Sequence, residues 1–135
     1  MKELFVWQDR YSLNVGTIDQ QHKNWLGIMN KLFHVFSNKG NKTEVLKILQ
    51  EMKSYTVFHF GVEERYFAQY NYADAENHKK MHKEFIVTLD KFKIDYERDS
   101  KTLTMEMMTF MQKWLTKHIL KEDIKYSKLF TSKGL

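Results

Sequence analysis

Apolar side chains recur in alternating four- and three-residue steps along four stretches of this chain. The first reads Ile18, His22, Trp25, Met29, Leu32, Phe36, and the second Val45, Leu49, Met52, Thr56, His59, Glu63, Tyr66, Tyr70. The third reads His78, His82, Phe85, Leu89, Phe92, Tyr96, and the fourth Thr104, Met108, Met111, Leu115, His118. This rhythm is the seam of packed helices, because it returns to one helix face every two turns. It predicts helices over about 18–38, 42–70, 75–97 and 101–121. The chain has no proline, so nothing interrupts them.

The punctuation agrees. Gly40 can take the left-handed position that ends a helix, and Asn41 can cap the next, with Glu44 completing a capping box. Asn71 is a second left-handed stop, Asp74 a cap for the third helix and Ser100 a cap for the fourth. Residues 1–16 read as an irregular arm and 124–135 as a short tail. The short connections predict an all-α protein, an up-down-up-down antiparallel four-helix bundle, in a single domain spanning 1–135.

Composition then removes whole classes of function. There is no cysteine, so disulfides, thiolate metal sites and thiol catalysis are excluded. The net charge is +5, but the 22 basic residues alternate with 17 acidic ones. Interleaving of that kind solvates helix faces, and we expect no nucleic-acid partner. No apolar run approaches the roughly 20 residues of a membrane span, and no secretory signal opens the chain. The expectation is a cytoplasmic protein. The lysine-rich outer faces favour a monomer, and no protein partner is legible.

The seams also carry residues that an apolar interior does not hold by default. His78 and His82 are four apart, so both imidazoles leave one helix face and can reach one ion. His59 and Glu63 repeat that spacing with a nitrogen and an oxygen donor, and a carboxylate on a seam is rare unless it is paired or bound to metal. His22 alone would read as an ordinary hydrogen-bonded core histidine. His34 falls off the seam and reads as exposed or partly exposed. Glu64 rotates off the seam and reads as a solvated acid. Near the end of the fourth helix His118 is followed by Glu122 and Asp123. Helix geometry favours Glu122, four residues on. Asp123, five on, joins the site only if the helix widens or stops.

These segments, in order, resemble the hemerythrin family, specifically its single-domain bacterial members. The residues that carry the likeness are Ile18-Asp19-Gln20-Gln21-His22, His59-Phe60-Gly61-Val62-Glu63-Glu64, His78-Lys79-Lys80-Met81-His82 and Trp114-Leu115-Thr116-Lys117-His118-Ile119 followed by Asp123. The resemblance implies a non-haem diiron centre in a four-helix bundle. It implies that His78, His82 and His118 bind one iron and that His22 and His59 bind the other. Glu63 and Asp123, rather than Glu122, would bridge them, with an oxo or hydroxo group as third bridge. It places Phe60, Trp114, Leu115 and Ile119 around an oxygen pocket, although core packing alone would also explain them.

The ligand count on that assignment leaves one position open. Two octahedral ions offer about twelve places. Five imidazoles, two bridging carboxylates and a solvent-derived bridge fill all but one, on the iron with two histidines. A diatomic ligand fits there. Neutral imidazoles also favour the reduced pair more than a carboxylate-rich set would. The function implied is reversible dioxygen binding, for carriage, storage, delivery or sensing in a microbial cell, and not catalysis. A diiron enzyme handling nitric oxide or peroxide is the alternative. A structural zinc bundle is a weaker one, since zinc would use about four of these donors.

Overall fold

The computed structural model describes residues 5–38, 40–99 and 105–135. Its main elements are α1 (Gly16–Ser37), α2 (Lys42–Gln69), α3 (Ala75–Arg98), α4 (Met105–Lys117) and α5 (Ile124–Ser132). A six-residue π-helical turn, His118–Asp123, joins α4 to α5 without a break. The architecture is the antiparallel four-helix bundle expected from the seams, with no strand among the described residues. No described helix is long and apolar enough to cross a membrane.

Seam positions form the core. Ile18, Trp25, Met29, Leu32, Val45, Leu49, Met52, Phe85, Leu89, Met108, Met111 and Leu115 are all buried. Each contributes about 1.5–3 kcal/mol relative to exposure. Phe36, Tyr66, Tyr70 and Phe92 are half-buried at the edges.

The helix ends depart from expectation in two places. Asn41 caps α2 as expected, its side chain accepting from the Glu44 amide at 2.8 Å. Asn71 takes the left-handed conformation at φ 53°, and the next amide, of Tyr72, reaches back to the Phe67 carbonyl at 3.0 Å. That pair of features is a Schellman closure. Gly40 is not left-handed. Its amide bonds the Val35 carbonyl at 2.8 Å, and a Cβ there would collide with the Val35 side chain. Glycine is required by close approach and not by φ. Asp74 stands at the start of α3, but its side chain makes no capping bond. Ser100 and Thr104, and the expected start of the fourth helix, lie outside the described residues.

The largest departure is at the end. Residues 124–132 are helical, with Tyr126 and Phe130 buried in the core. Once the fourth seam skips one residue at the π turn it continues through Asp123, Tyr126 and Phe130 in the same alternating steps. The irregular arm is tied down by side chains. Asn30 holds Phe5 through both of its backbone groups, Asp19 accepts from the Ser12 hydroxyl and the Leu13 amide, and Ser127 of α5 donates to the Leu13 carbonyl. Asp19 also lies in the first turn of α1, where a negative charge is favoured.

Candidate metal centre

Seven polar side chains meet in the middle of this apolar interior. His22 comes from α1, His59 and Glu63 from α2, His78 and His82 from α3, and His118 and Asp123 from the two ends of the π turn. All are buried, none more than 4% exposed. Burial of this kind is costly unless every lone pair and proton has a partner.

The π turn explains how Asp123 arrives. In a regular α-helix a residue five positions on lies about 140° around the axis. A π turn is wider, so the fifth residue falls above the first. His118 Nε2 and Asp123 Oδ1 are accordingly 3.0 Å apart. Glu122 lies outside the centre and holds Lys125 at 3.0 Å.

The donor atoms fall into two groups. His78, His82, His118 and Asp123 form one, and His22, His59 and Glu63 the other, each with its donor atoms within 4.8 Å of one another. The carboxylates face both groups. Asp123 Oδ1 is 3.0 Å from His78 Nε2 and from His118 Nε2, while Oδ2 is 3.2 Å from His22 Nε2. Glu63 Oε1 is 2.7 Å from His59 Nε2 and 3.8 Å from His82 Nε2, and Oε2 is 3.9 Å from His78 Nε2.

Proton positions decide what those short distances mean. His59 Nδ1 donates to Gln21 Oε1 at 2.7 Å, and His82 Nδ1 donates to Glu64 Oε2 at 2.9 Å. Burial pulls both imidazoles below the ordinary value of 6.5, against the nearby carboxylates, so both stay neutral. With the proton on Nδ1, each Nε2 presents a lone pair. His59 Nε2 therefore faces the Glu63 oxygen lone pair to lone pair. His78 and His118 also bring their Nε2 atoms to 3.0 Å. Two donors about 2.1 Å from a shared ion, at right angles, would stand about 3.0 Å apart. Nε2 of His22, His59 and His82, and all four carboxylate oxygens of Glu63 and Asp123, are buried without a hydrogen-bond partner. The set fits cations.

Asp123 is ionised: burial raises its pKa, but His118 beside it, with His22 and His78, holds it well below its usual range. His118 moves upward: burial lowers it, and Asp123 beside it more than compensates.

Sequence reasoning passed over several neighbours. Glu64 is not simply a solvated acid, since it is the partner that orients His82. Gln21 plays that part for His59. Trp25 packs against His59 at 5.4 Å and His22 at 6.5 Å between ring centroids. Phe60 stacks on His82 at 3.7 Å, and Trp114 stacks on His118 at 4.5 Å. Trp114 also lines a surface cleft of about 200 Å³ with Met81, Glu84, Lys117, His118 and Glu122. Leu115 and Ile119 are fully buried, and His34 is half-buried and far from the cluster along α1. Glu64 could be reached from the sequence only with the register of the α2–α3 hairpin in hand, since its contact with His82 spans 18 residues.

The fold and this donor set define a non-haem metal-binding four-helix protein. Residues 13–130 match the family described as the Hemerythrin HHE cation binding domain, and the chain belongs to the hemerythrin family. It is 33% identical to the bacteriohemerythrin of Clostridium acetobutylicum over 129 residues, covering 91% of this chain and 98% of the relative. It is 31% identical to the bacteriohemerythrin of Methylococcus capsulatus, covering 91% and 94%. A crystal structure of wild-type hemerythrin is similar at TM-score 0.86 and 30% identity, over 93% of this chain and 97% of that one.

Proposed function

We propose that this chain binds dioxygen reversibly at two iron ions, for carriage, storage, delivery or sensing in a microbial cell, and that it is not an enzyme. The observation that carries the reading is the double reach of Glu63 and Asp123, each of which places oxygens against both histidine groups. Two ions bridged by two carboxylates use that arrangement fully, whereas one four-coordinate zinc would strand several buried donors.

In this reading His78, His82 and His118 would hold one iron and His22 and His59 the other, with Glu63 and Asp123 serving both. Bound iron supplies the reversible two-electron chemistry toward dioxygen. The protein's share is to orient and to exclude. Gln21 and Glu64 fix the protons of His59 and His82 on Nδ1, which keeps Nε2 free as a donor. Phe60, Leu115 and Ile119, with Trp114 packed against the core, would line the oxygen pocket and keep it apolar, excluding water from the site. The same reading includes a monomer working in the cytoplasm, which gel filtration and cell fractionation address.

Elemental analysis is expected to give two irons per chain. The visible spectrum should change on dithionite reduction and again, reversibly, on exposure to air. One zinc per chain, or an air spectrum that cannot be cycled, would reject dioxygen carriage. Rapid turnover of nitric oxide or peroxide with no lasting air-dependent spectrum would favour the enzyme alternative.

A further inference from the structure

Six of the seven donors are shut away at 1% exposure or less. Both oxygens of Asp123 and the Nε2 atoms of His22, His59 and His82 are buried without a hydrogen-bond partner. A cation that answers them has to come from outside, so a buried metal site needs a way in. His118 is the seventh donor. It is 4% exposed and lines the surface cleft of about 200 Å³ with Met81, Glu84, Trp114, Lys117 and Glu122. Liquid water takes about 30 Å³ per molecule, so the cleft has room for a cation with several of its waters. Two other surface clefts, beside Phe110 and beside Tyr66, touch none of the seven.

The walls of the cleft suit a passing cation. Glu84 is exposed and Glu122 half-buried, and they set two carboxylates against one lysine, Lys117. Glu122 is tied to Lys125 at 3.0 Å, and Lys125 is half exposed, a pairing that contributes little and exchanges readily. Glu122 also precedes Asp123 in the π turn, so an outer and an inner carboxylate are consecutive in the chain. Over His118 lies the Trp114 ring, at 4.5 Å and within 11° of parallel, itself stacked on Phe85 at 4.3 Å and only partly buried. Rotating that one side chain would bare the imidazole. Reaching His22, His59 or Glu63, all at 0% exposure, needs helices to part.

We propose that this cleft is the port through which metal ions enter the centre: Glu84 and Glu122 draw a hydrated divalent cation to the rim, Trp114 is the cover, and His118 is the first of the seven donors to meet it. The inference rests on the diiron reading for its cargo and adds a route to it. Glu122 then serves loading and not holding. It changes how fast the centre fills and not how much metal it holds at equilibrium. Trp114 acts as a cover only if its loss speeds entry and exit alike, because a barrier is common to both directions.

Metal-free protein is mixed with cobalt(II), a divalent ion that imidazole and carboxylate also hold, and uptake is followed by stopped-flow visible absorption. Release is followed in excess EDTA. The pair Glu84→Gln with Glu122→Gln should take up cobalt about 10-fold more slowly at low salt. The gap should close as salt screens the rim, and the final metal content should equal wild type. Glu51→Gln with Glu97→Gln makes the same change in net charge at exposed positions away from the cleft, and should leave uptake unchanged. Trp114→Ala, its fold checked by circular dichroism, should speed uptake and release by one common factor of about 10-fold, the rate equivalent of a lost ring stack, with affinity unmoved. Uptake by the rim pair within twofold of wild type, or equal slowing in the control pair, overturns the port. Faster release from Trp114→Ala at unchanged uptake overturns its part as cover and leaves a ring that only holds His118 in place. The rim substitutions lie at the surface, so they decide the port even if Trp114→Ala loses its helices. Wild type that takes up no metal sinks the diiron reading and the port with it. If wild type loads two metals per chain and only the rim and cover results fail, the diiron reading stands.

Discussion

His78, His82 and His118 share one end of the centre with Asp123, and His22 and His59 share the other with Glu63. The two ends differ in more than the number of imidazoles. Rings cover the three-histidine end closely: Phe60 lies flat on His82, Trp114 on His118, and Phe67 packs on His78 at 4.9 Å. A carboxylate, Glu64, anchors its His82. The two-histidine end has a neutral anchor, Gln21, and its rings sit further off, Trp25 at 5.4 Å and Phe60 at 5.9 Å from His59. One end is saturated with donors and walled by aromatics, while the other is lean. The lesson is that a symmetric-looking bundle can set two donor groups in unlike surroundings by varying which helices contribute.

The strongest way to break that comparison is to remove what joins the ends. Asp123→Ala should abolish two-iron loading and the diiron spectrum, whereas Glu122→Ala should keep both, because Glu122 faces Lys125 on the outside. The reverse result would mean that the π turn does not serve the centre.

Leu115→Ala comes next. Leu115 is fully buried one turn before His118, and its truncation should cost about 2–5 kcal/mol of stability on chemical denaturation. Solvent admitted to the cavity should speed conversion of the air-bound form to the oxidised form, with iron content near wild type. An unchanged rate in a folded, loaded variant would reduce Leu115 to packing.

The anchors give a smaller effect that sharpens the contrast. Glu64→Gln keeps an acceptor for His82 and removes only the charge, so iron release from the three-histidine end should quicken by about 10-fold at most. Gln21→Glu should slow release from the other end, and biphasic kinetics in ferrozine would show which end moved.

The smallest effect is a pH slope in the metal-free chain. His59 and His82 sit below 6.5 when folded, so the unfolded chain binds more protons and their contribution is lost as pH falls below 6.5. His118 is raised, so its contribution is present below 6.5 and is lost as pH climbs through the higher folded value. His82 and His118 therefore oppose each other, while His59 adds to His82. Melts between pH 7.5 and 5 should therefore flatten with His59→Gln and steepen with His118→Gln. Equal slopes would show that the two ends titrate alike.

Much of this was legible in the amino-acid order because the seams are long and regular. Helix α2 ends within one residue of its expected position, and all seven candidate donors stand on or beside the seams that bring them together. The failures have one physical source each. The helix face of Glu64 points to solvent, but its partner belongs to α3, and that contact depends on how two helices register. A glycine before a helix cap suggests a left-handed φ, but at Gly40 it is steric contact with Val35 that demands the residue. The last twelve residues resemble a tail because the 4-3 rhythm, continued unbroken past His118, misses Asp123, Tyr126 and Phe130 by one residue.

That skipped residue has a consequence for how the chain tolerates change in length. From Met108 to His118, and again from Asp123 to Phe130, the interior positions keep one phase, and the π turn absorbs the single residue between the two runs. Deleting one residue from 119–122 would let an uninterrupted α-helix carry the aspartate and α5 in nearly their present orientation, while a single insertion elsewhere in the bundle would swing everything after it by about 100°. The turn is therefore the one place in this helix where a deletion is expected to be mild, and circular dichroism with an iron count on such a deletion would show it. Length variation among such chains should collect there, as slack in a frame that is otherwise rigid in its count.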